Sequence, residues 1–267
     1  MSQESNAPLT ARSVLASALL GTDPPELPVA YLVRLAALFG VNENRARVAL
    51  SRMVGAGEVS TDGSGRYRLA GHLLDRRDRQ ARSRAGRTIP WPGRWEVAVV
   101  TTAGSSAEVR ARRRRALAFA RLAELREGVW CRPDNLVVDL PADVEGDVLR
   151  LRASAPDDAA LAARLWPLKG WAAQAETLLR RLEALPPAGW EDLAPGFELS
   201  AAVLRHLQAD PLLPAALLPP SWPGDRLRAA YDDWDRCYRT LLAAWSRSAR
   251  PDEPEPRATR GPAAPSR

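Results

Sequence analysis

The sequence predicts a multidomain α+β chain, with an N-terminal winged helix-turn-helix, a middle ferredoxin-like α/β sandwich and a C-terminal all-helical domain. Three observations predict it. Residues 10–73 read as three helices and a hairpin, and residues 91–169 alternate apolar strands with helices. Residues 170–247 show only the three- and four-residue apolar spacing of helices.

The first helix runs from about Thr10 to Leu20 and is stopped by Gly21, with Pro24 and Pro25 beyond it. The second opens on Pro28, carries Leu32, Leu35, Ala36 and Phe39 at helical spacing, and ends at Gly40. Only a few residues separate it from the third, which either Asn42 or Asn44 caps and which runs to Gly55 or Gly57. That is helix-turn-helix spacing. At 100° per residue Ala46, Ala49, Leu50 and Met53 share an inward face, while Asn44, Val48 and Ser51 lie opposite with Arg47 and Arg52 on the flanks. The outward face offers amide, hydroxyl and guanidinium groups to base edges and phosphates, and a valine to a thymine methyl. Glu58–Ser60, the turn Asp62–Gly65 and Arg66–Leu69 then form a hairpin wing. The candidate DNA-binding residues are Asn44, Arg45, Arg47, Val48, Ser51, Arg52, Arg66 and Arg68. A small helical domain with a solvated basic face is the blander reading, and pattern, spacing, wing and charge together favour DNA.

Residues 74–90 form an Arg-rich linker holding Arg76, Arg77, Arg79, Arg82, Arg84 and Arg87, suited equally to backbone phosphates or to plain solvation. In the middle domain Trp95–Thr102 is a strand, Glu108–Arg126 a helix, Gly128–Cys131 and Asn135–Leu140 two further strands, 143–146 a loop and Asp147–Ala153 a fourth strand. Asp157–Leu165 follows as a helix capped by its aspartates, and this order suggests the ferredoxin-like type. Successive residues of Arg112–Arg115 turn by 100°, so at least one arginine must snorkel past the core edge. The last helices are Trp171–Leu185, Leu199–Gln208 and Asp225–Trp245, joined in part by a proline-rich extended path from Asp210 to Gly224. Residues 1–9 are expected to be disordered. So are residues 248–267, with five prolines and no large apolar side chain.

Composition narrows the chemistry. The net charge is +6, with 37 arginines against a single lysine, Lys169, and arginine forks suit phosphates and guanine edges. A GC-rich genome produces the same bias, so position matters more than number. No apolar run approaches the ~20 residues that span a bilayer, and the N-terminus lacks the features of a signal peptide, which predicts a cytoplasmic location. Cys131 and Cys237 lie too far apart for a zinc motif and read as two buried thiols. With only His72 and His206 there is no histidine constellation, no phosphate loop and no nucleophile elbow; no catalytic residue, metal or cofactor is expected. His206, beside Leu204 and Leu207, reads as structural.

Arg47 with Val48-Ala49-Leu50-Ser51-Arg52-Met53, the Trp91-x-Gly93-x-Trp95 segment, and Gly128-Val129-Trp130 with Pro133 resemble the PaaX-type repressors of phenylacetic acid degradation. So, above all, does Asp210-Pro211-Leu212-Leu213-Pro214 followed by Leu217–Gly224. The resemblance implies a homodimer on palindromic double-stranded DNA, released by an aryl-CoA thioester such as phenylacetyl-CoA. It also implies a middle domain similar to the ferredoxin-like CRISPR-associated integration subunit. A CoA effector needs a basic groove and an aromatic surface, for which Arg113, Arg114, Trp130 and Trp222 are the candidates. The chain departs from metal-dependent ferredoxin-like nucleases, with Thr101 and Thr102 where an aspartate would end the first strand, and from the family at Gln174 and Ala175, where an aromatic is expected. The alternatives are a metal-dependent nuclease built on the middle domain and a DNA-binding module without a ligand.

Overall fold

The computed structural model describes residues 10–102 and 104–248. The two segments expected to be disordered lie outside these residues, apart from Ser248. Helix α1 (Ala11–Leu20) starts where Thr10 Oγ1 accepts from the amide of Ser13, and stops at Gly21. Strand β1 (Glu26–Pro28), absent from the sequence-based expectation, leads into α2 (Val29–Ala37) and α3 (Glu43–Gly55). Of the two candidate caps it is Asn42 that begins α3, its Oδ1 accepting from the amide of Arg45 at 2.9 Å. Strands β2 (Val59–Thr61) and β3 (Arg66–Leu69) form the expected hairpin, and β1 pairs with β3 to complete a three-stranded antiparallel sheet ordered β1-β3-β2.

The segment expected to be a linker is a helix, α4 (His72–Ala85), closed by Gly86 in the left-handed region at φ 59°. A side chain at Gly86 would strike the Arg228 guanidinium, so glycine serves both the turn and the close approach.

Strand β4 (Trp95–Val100), helix α5 (Ala107–Phe119), strands β5 (Ala123–Arg126) and β6 (Val129–Pro133), the one-turn α6 (Ala142–Glu145) and strand β7 (Val148–Ala153) make the second sheet. Its order is β5-β6-β4-β7, antiparallel throughout. Three expectations are corrected here. The helix from Glu108 to Arg126 ends at Phe119, because Arg121 turns into the left-handed region (φ 65°), where its guanidinium donates to Ser83 Oγ (2.7 Å) and to the carbonyl of Gln208. Residues 123–126 thereby become β5. The strand expected at Asn135–Leu140 pairs with no ladder; its start is held by Asn135 donating to the Leu212 carbonyl, and by Arg132 donating to that of Leu136. The loop expected at 143–146 contains most of α6.

Helices α7 (Asp158–Leu165), α8 (Leu168–Ala184), α9 (Leu193–Gln208) and α10 (Gly224–Ser248) complete the chain. Asp157 caps α7, while its neighbour Asp158 accepts from Trp95 Nε1 at 2.7 Å and so ties the helix to the sheet. The aromatic stripe of α10 is core. Tyr231, Trp234 and Tyr238 stack successively, and Gly196 of α9 lets Tyr238 approach where a side chain would collide. Buried Asp210, opening the proline-rich path, accepts from the Leu212 amide through Oδ1 and from Arg228 of α10 through Oδ2 (2.6 Å).

The buried side chains show how these parts join. The core of α1–α3 is continuous with that of α8–α10, stitched by Phe39 against Phe197 (5.0 Å) and Tyr31 edge-on to Trp245 (6.1 Å). The second sheet has two separate cores, one beneath α5 and one against α7 and the proline-rich path. Two segments more than a hundred residues apart in sequence therefore form one packed body, and α4 lies across it against α9. Among the described residues no helix is long and apolar enough to cross a membrane, and no group of three His, Cys, Asp or Glu could hold a metal.

Candidate nucleic-acid interface

Helix α3 buries Ala46, Leu50 and Met53 against α1 and α2, which fixes the opposite face outward. Asn44, Arg45, Arg47, Val48, Ser51 and Arg52 are all exposed, and Val48 is 42% exposed despite being aliphatic. Asn44, Arg45, Ser51 and Arg52 have no side-chain hydrogen-bond partner among the described residues. Arg47 donates through Nε to Glu43, one turn back, at 2.7 Å.

The hairpin stands next to this face. Asp62 Oδ1 accepts from both the amide (2.9 Å) and the hydroxyl (2.6 Å) of Ser64, and Gly63 and Gly65 take positive φ, so the tip is a fixed polar turn. The Gly65 carbonyl accepts from Val29 N at 2.8 Å and anchors the hairpin to α2. Arg66 and Arg68 project outward from β3, and both bind Glu26 on the neighbouring strand, Arg68 at 2.8 Å through Nε. These two arginines, Arg66 first, hold the Glu26 carboxyl below its ordinary range. On the arginine side these pairs are open to water, which screens them, so Arg66 and Arg68 can be exchanged for phosphate oxygens. Behind the hairpin Glu58 is buried and accepts from Arg12 of α1 (2.8 Å), whose hydrogen bonds lower its pKa and lock β2 to the helices.

Of the four residues expected to meet an effector, Arg114 and Trp130 are in contact, whereas Arg113 turns inward and Trp222 lies across the sheet. Arg113 is the arginine of its run that turns inward, donating to Thr102 Oγ1 (2.8 Å) and to Asp147 (3.2 Å). Exposed Arg114 lies over the Trp130 ring at 5.6 Å and pairs with Glu124. Trp130 faces the core beneath α5. Trp222 stacks on Trp171 at 4.5 Å, beside the core on the other side of the sheet. The same Trp171 stacks on His206 at 4.3 Å, and burial holds that imidazole below its usual pKa, in keeping with a structural histidine. Cys131 is buried, its thiol pushed up to about 11 by desolvation, whereas Cys237 is exposed, against the expectation of two buried thiols.

None of Arg113, Arg114, Trp130 and Trp222 lines either of two cavities. One, of about 490 Å³, lies between the second sheet and α7 beside Cys131 and Arg164. The other, of about 400 Å³, is enclosed by α1, α2, α4, α9 and α10. Its α4 wall is Arg76, Arg77, Gln80, Ala81 and Arg84, a single helical stripe inside the Arg-rich segment. Periodicity in that segment was the signal available in the sequence, and reading the segment as a connector concealed it.

The chain matches the family of PaaX-like proteins over residues 10–73 and the C-terminal domain of PaaX-like proteins over residues 166–249. A solved structure, that of the uncharacterized protein Rv0674 from Mycobacterium tuberculosis, is 43% identical. The likeness covers 89% of this chain and 99% of that one, with a TM-score of 0.69. No curated protein matches the chain.

Proposed function

The chain belongs to the PaaX-like family of transcription regulators, and from that premise we propose that it is an effector-responsive DNA-binding repressor acting as a homodimer. The observation that carries this reading is the uncovered face of α3, rich in arginine and amide groups and flanked by a fixed arginine-bearing hairpin. Residues 10–73 are read as a winged helix-turn-helix. Helix α3 enters the major groove, Asn44, Arg47, Val48, Ser51 and Arg52 meet base edges, and Arg45, Arg66 and Arg68 take backbone phosphates. The β5-β6-β4-β7 order with α5 on one face supports reading the middle as a ferredoxin-like sandwich. Its edge strand β7 leaves Leu149 and Leu151 about half exposed, which suits pairing with a second copy. A twofold dimer then reads half-sites one or two helical turns apart on a palindromic operator. An aryl-CoA thioester of the phenylacetyl type, favouring the form that does not fit the operator, releases it.

The test is a fluorescence-anisotropy titration on the DNA upstream of the gene, at two salt concentrations, with and without phenylacetyl-CoA and other acyl-CoA esters. Specific binding lost on adding one thioester is the expected result. Specific binding indifferent to all of them leaves a DNA-binding module without that effector. Binding that does not distinguish operator from unrelated DNA overturns the repressor reading.

A further inference from the structure

The cavity between the N-terminal helices and α9–α10 holds an excess of cationic charge over an apolar wall. Tyr31, Phe197, Leu204 and Leu242 contribute that wall. Five arginines border it against one carboxylate, Asp235. Three of the five are occupied. Arg77 binds Asp23 at 2.9 Å, Arg84 binds Asp232 and Asp235, and Arg239 binds Asp235 at 2.8 Å. Arg76 of α4 and Arg205 of α9 have no acid partner among the described residues. Both line the same cavity, on helices that pack against each other. The walls partly desolvate the Arg76 guanidinium, although the side chain as a whole is exposed, and with Arg79, Arg12 and Arg205 nearby its pKa is lowered. Neither guanidinium is paired with a counter-charge in the cavity, so an incoming negative group has no acid to displace from them.

We propose that this cavity is a binding site for a small organic anion, with the carboxylate or phosphate between Arg76 and Arg205 and a compact, preferably aromatic body against Tyr31, Phe197, Leu204 and Leu242. Its volume lies within the range of ordinary small-molecule sites, and its lining combines an apolar wall with many polar and cationic groups, which suits an amphipathic anion better than a neutral apolar ligand. Arginine forks match a carboxylate in two-point geometry, and the tyrosine and phenylalanine rings supply the aromatic surface. The position gives the site a regulatory consequence, which rests on the DNA-binding reading above. Its walls include α1 and α2, the two helices against which α3 is packed, so an anion that prefers one spacing of α1 and α2 relative to α9 and α10 biases the seating of α3.

The test is isothermal titration calorimetry on the full chain, without DNA, using 1-naphthaleneacetate and its neutral counterpart 1-naphthaleneethanol. The acid is expected to bind once per chain and the alcohol about tenfold more weakly or less, the loss of a charge-assisted hydrogen bond. The double variant Arg76→Gln, Arg205→Gln removes only exposed groups and should erase the preference for the acid. Arg205→Glu should abolish binding of the acid while leaving that of the alcohol. No saturable heat from the acid at millimolar concentration, equal binding of acid and alcohol, or an unchanged preference in the double variant overturns the site. Because DNA is absent from the cell, a chain that failed to recognise an operator would still decide this question.

Discussion

Around α3 and the hairpin some arginines stand in water next to acids they can exchange, Arg47 with Glu43 and Arg68 with Glu26, while Arg45 and Arg52 are exposed without a partner among the described residues. At the cavity between α4 and α9, Arg76 and Arg205 stand over an apolar wall with no acid. The residue type is the same in both places, and the difference lies in where the counter-charge is. On the surface it is local and weakly held or lacking, so the whole face is open to phosphates, a polyanion met in register. In the cavity nothing local is available, so an incoming ligand must bring the charge. A chain whose cations are nearly all arginine thus separates two kinds of site by the surface that surrounds the charge, an open helix face in one and an apolar-walled cavity in the other.

A third arrangement limits the comparison from the other side. Arg228 is buried against Asp210, a pair enclosed by α4, α10 and the proline-rich path. Asp210→Ala leaves that guanidinium only the Ser83 carbonyl and the fully exposed Asp225 at 3.7 Å, and also removes the acceptor for the Leu212 amide. The expected loss is about 3–5 kcal/mol in urea denaturation. A loss below about 1 kcal/mol would mean that Arg228 reaches water and belongs with the exchangeable set.

The surface set is tested next by Arg52→Ala. Arg52 is exposed and has no partner to release, so folding stability should not change. Operator affinity should fall by about 1–3 kcal/mol if the guanidinium reads a base edge, and discrimination at one base pair should fall with it. A uniform loss across operator and unrelated DNA, with a shallower salt dependence, would reassign Arg52 to a phosphate.

Between the two sets lies Glu58, buried itself but paired with an Arg12 that is more than half exposed. Its folded pKa is lowered, so its contribution to stability is present above the ordinary glutamate value of ~4.3 and is lost as the pH falls through that value towards the folded one. Glu58→Gln should therefore cost about 1 kcal/mol or less at neutral pH, water screening the Arg12 side, and should flatten the acid limb of a melting-temperature profile. An acid limb identical in wild type and variant would show that other carboxylates carry it.

The N-terminal elements were legible because their signals are local. Thr10 and Asn42 cap, Gly21 stops, and the Asp62–Gly65 turn closes the hairpin, so helices and wing came within a residue or two of their bounds. β1 was not legible, since three residues ending in proline have no period to detect and acquire their identity only by pairing with β3. The end of α5 was hidden for a similar reason. Arg121 takes the left-handed turn that a glycine would have announced, and the tertiary bonds it donates to Ser83 and Gln208 hold it there. The outward face of α3 followed from helical periodicity alone. The cavity did not, because Arg76 and Arg205 are far apart in sequence and come to line one cavity only when α4 packs on α9. The merger of the α1–α3 core with that of α8–α10 is equally non-local.

The smallest expected effect bears most directly on how exchangeable the surface arginines are. Glu26 engages Arg66 and Arg68 together, so in the free protein it competes with phosphate for both guanidinium groups. Glu26→Gln removes that competitor and also a negative charge facing the polyanion, while the amide keeps a hydrogen-bonding oxygen to orient the side chains. DNA should bind about two- to fivefold more tightly, the scale of an exposed pair that no longer has to be broken. If both arginines gain phosphates that they could not reach before, the slope of log affinity against log salt steepens by about one unit per added contact. Tighter binding with the wild-type slope means that the contacts already existed and only their competition has gone. Weaker binding would reverse the assignment, making Glu26 the group that aims Arg66 and Arg68, and the wing arginines would then resemble the fixed Arg228 pair more than the free face of α3.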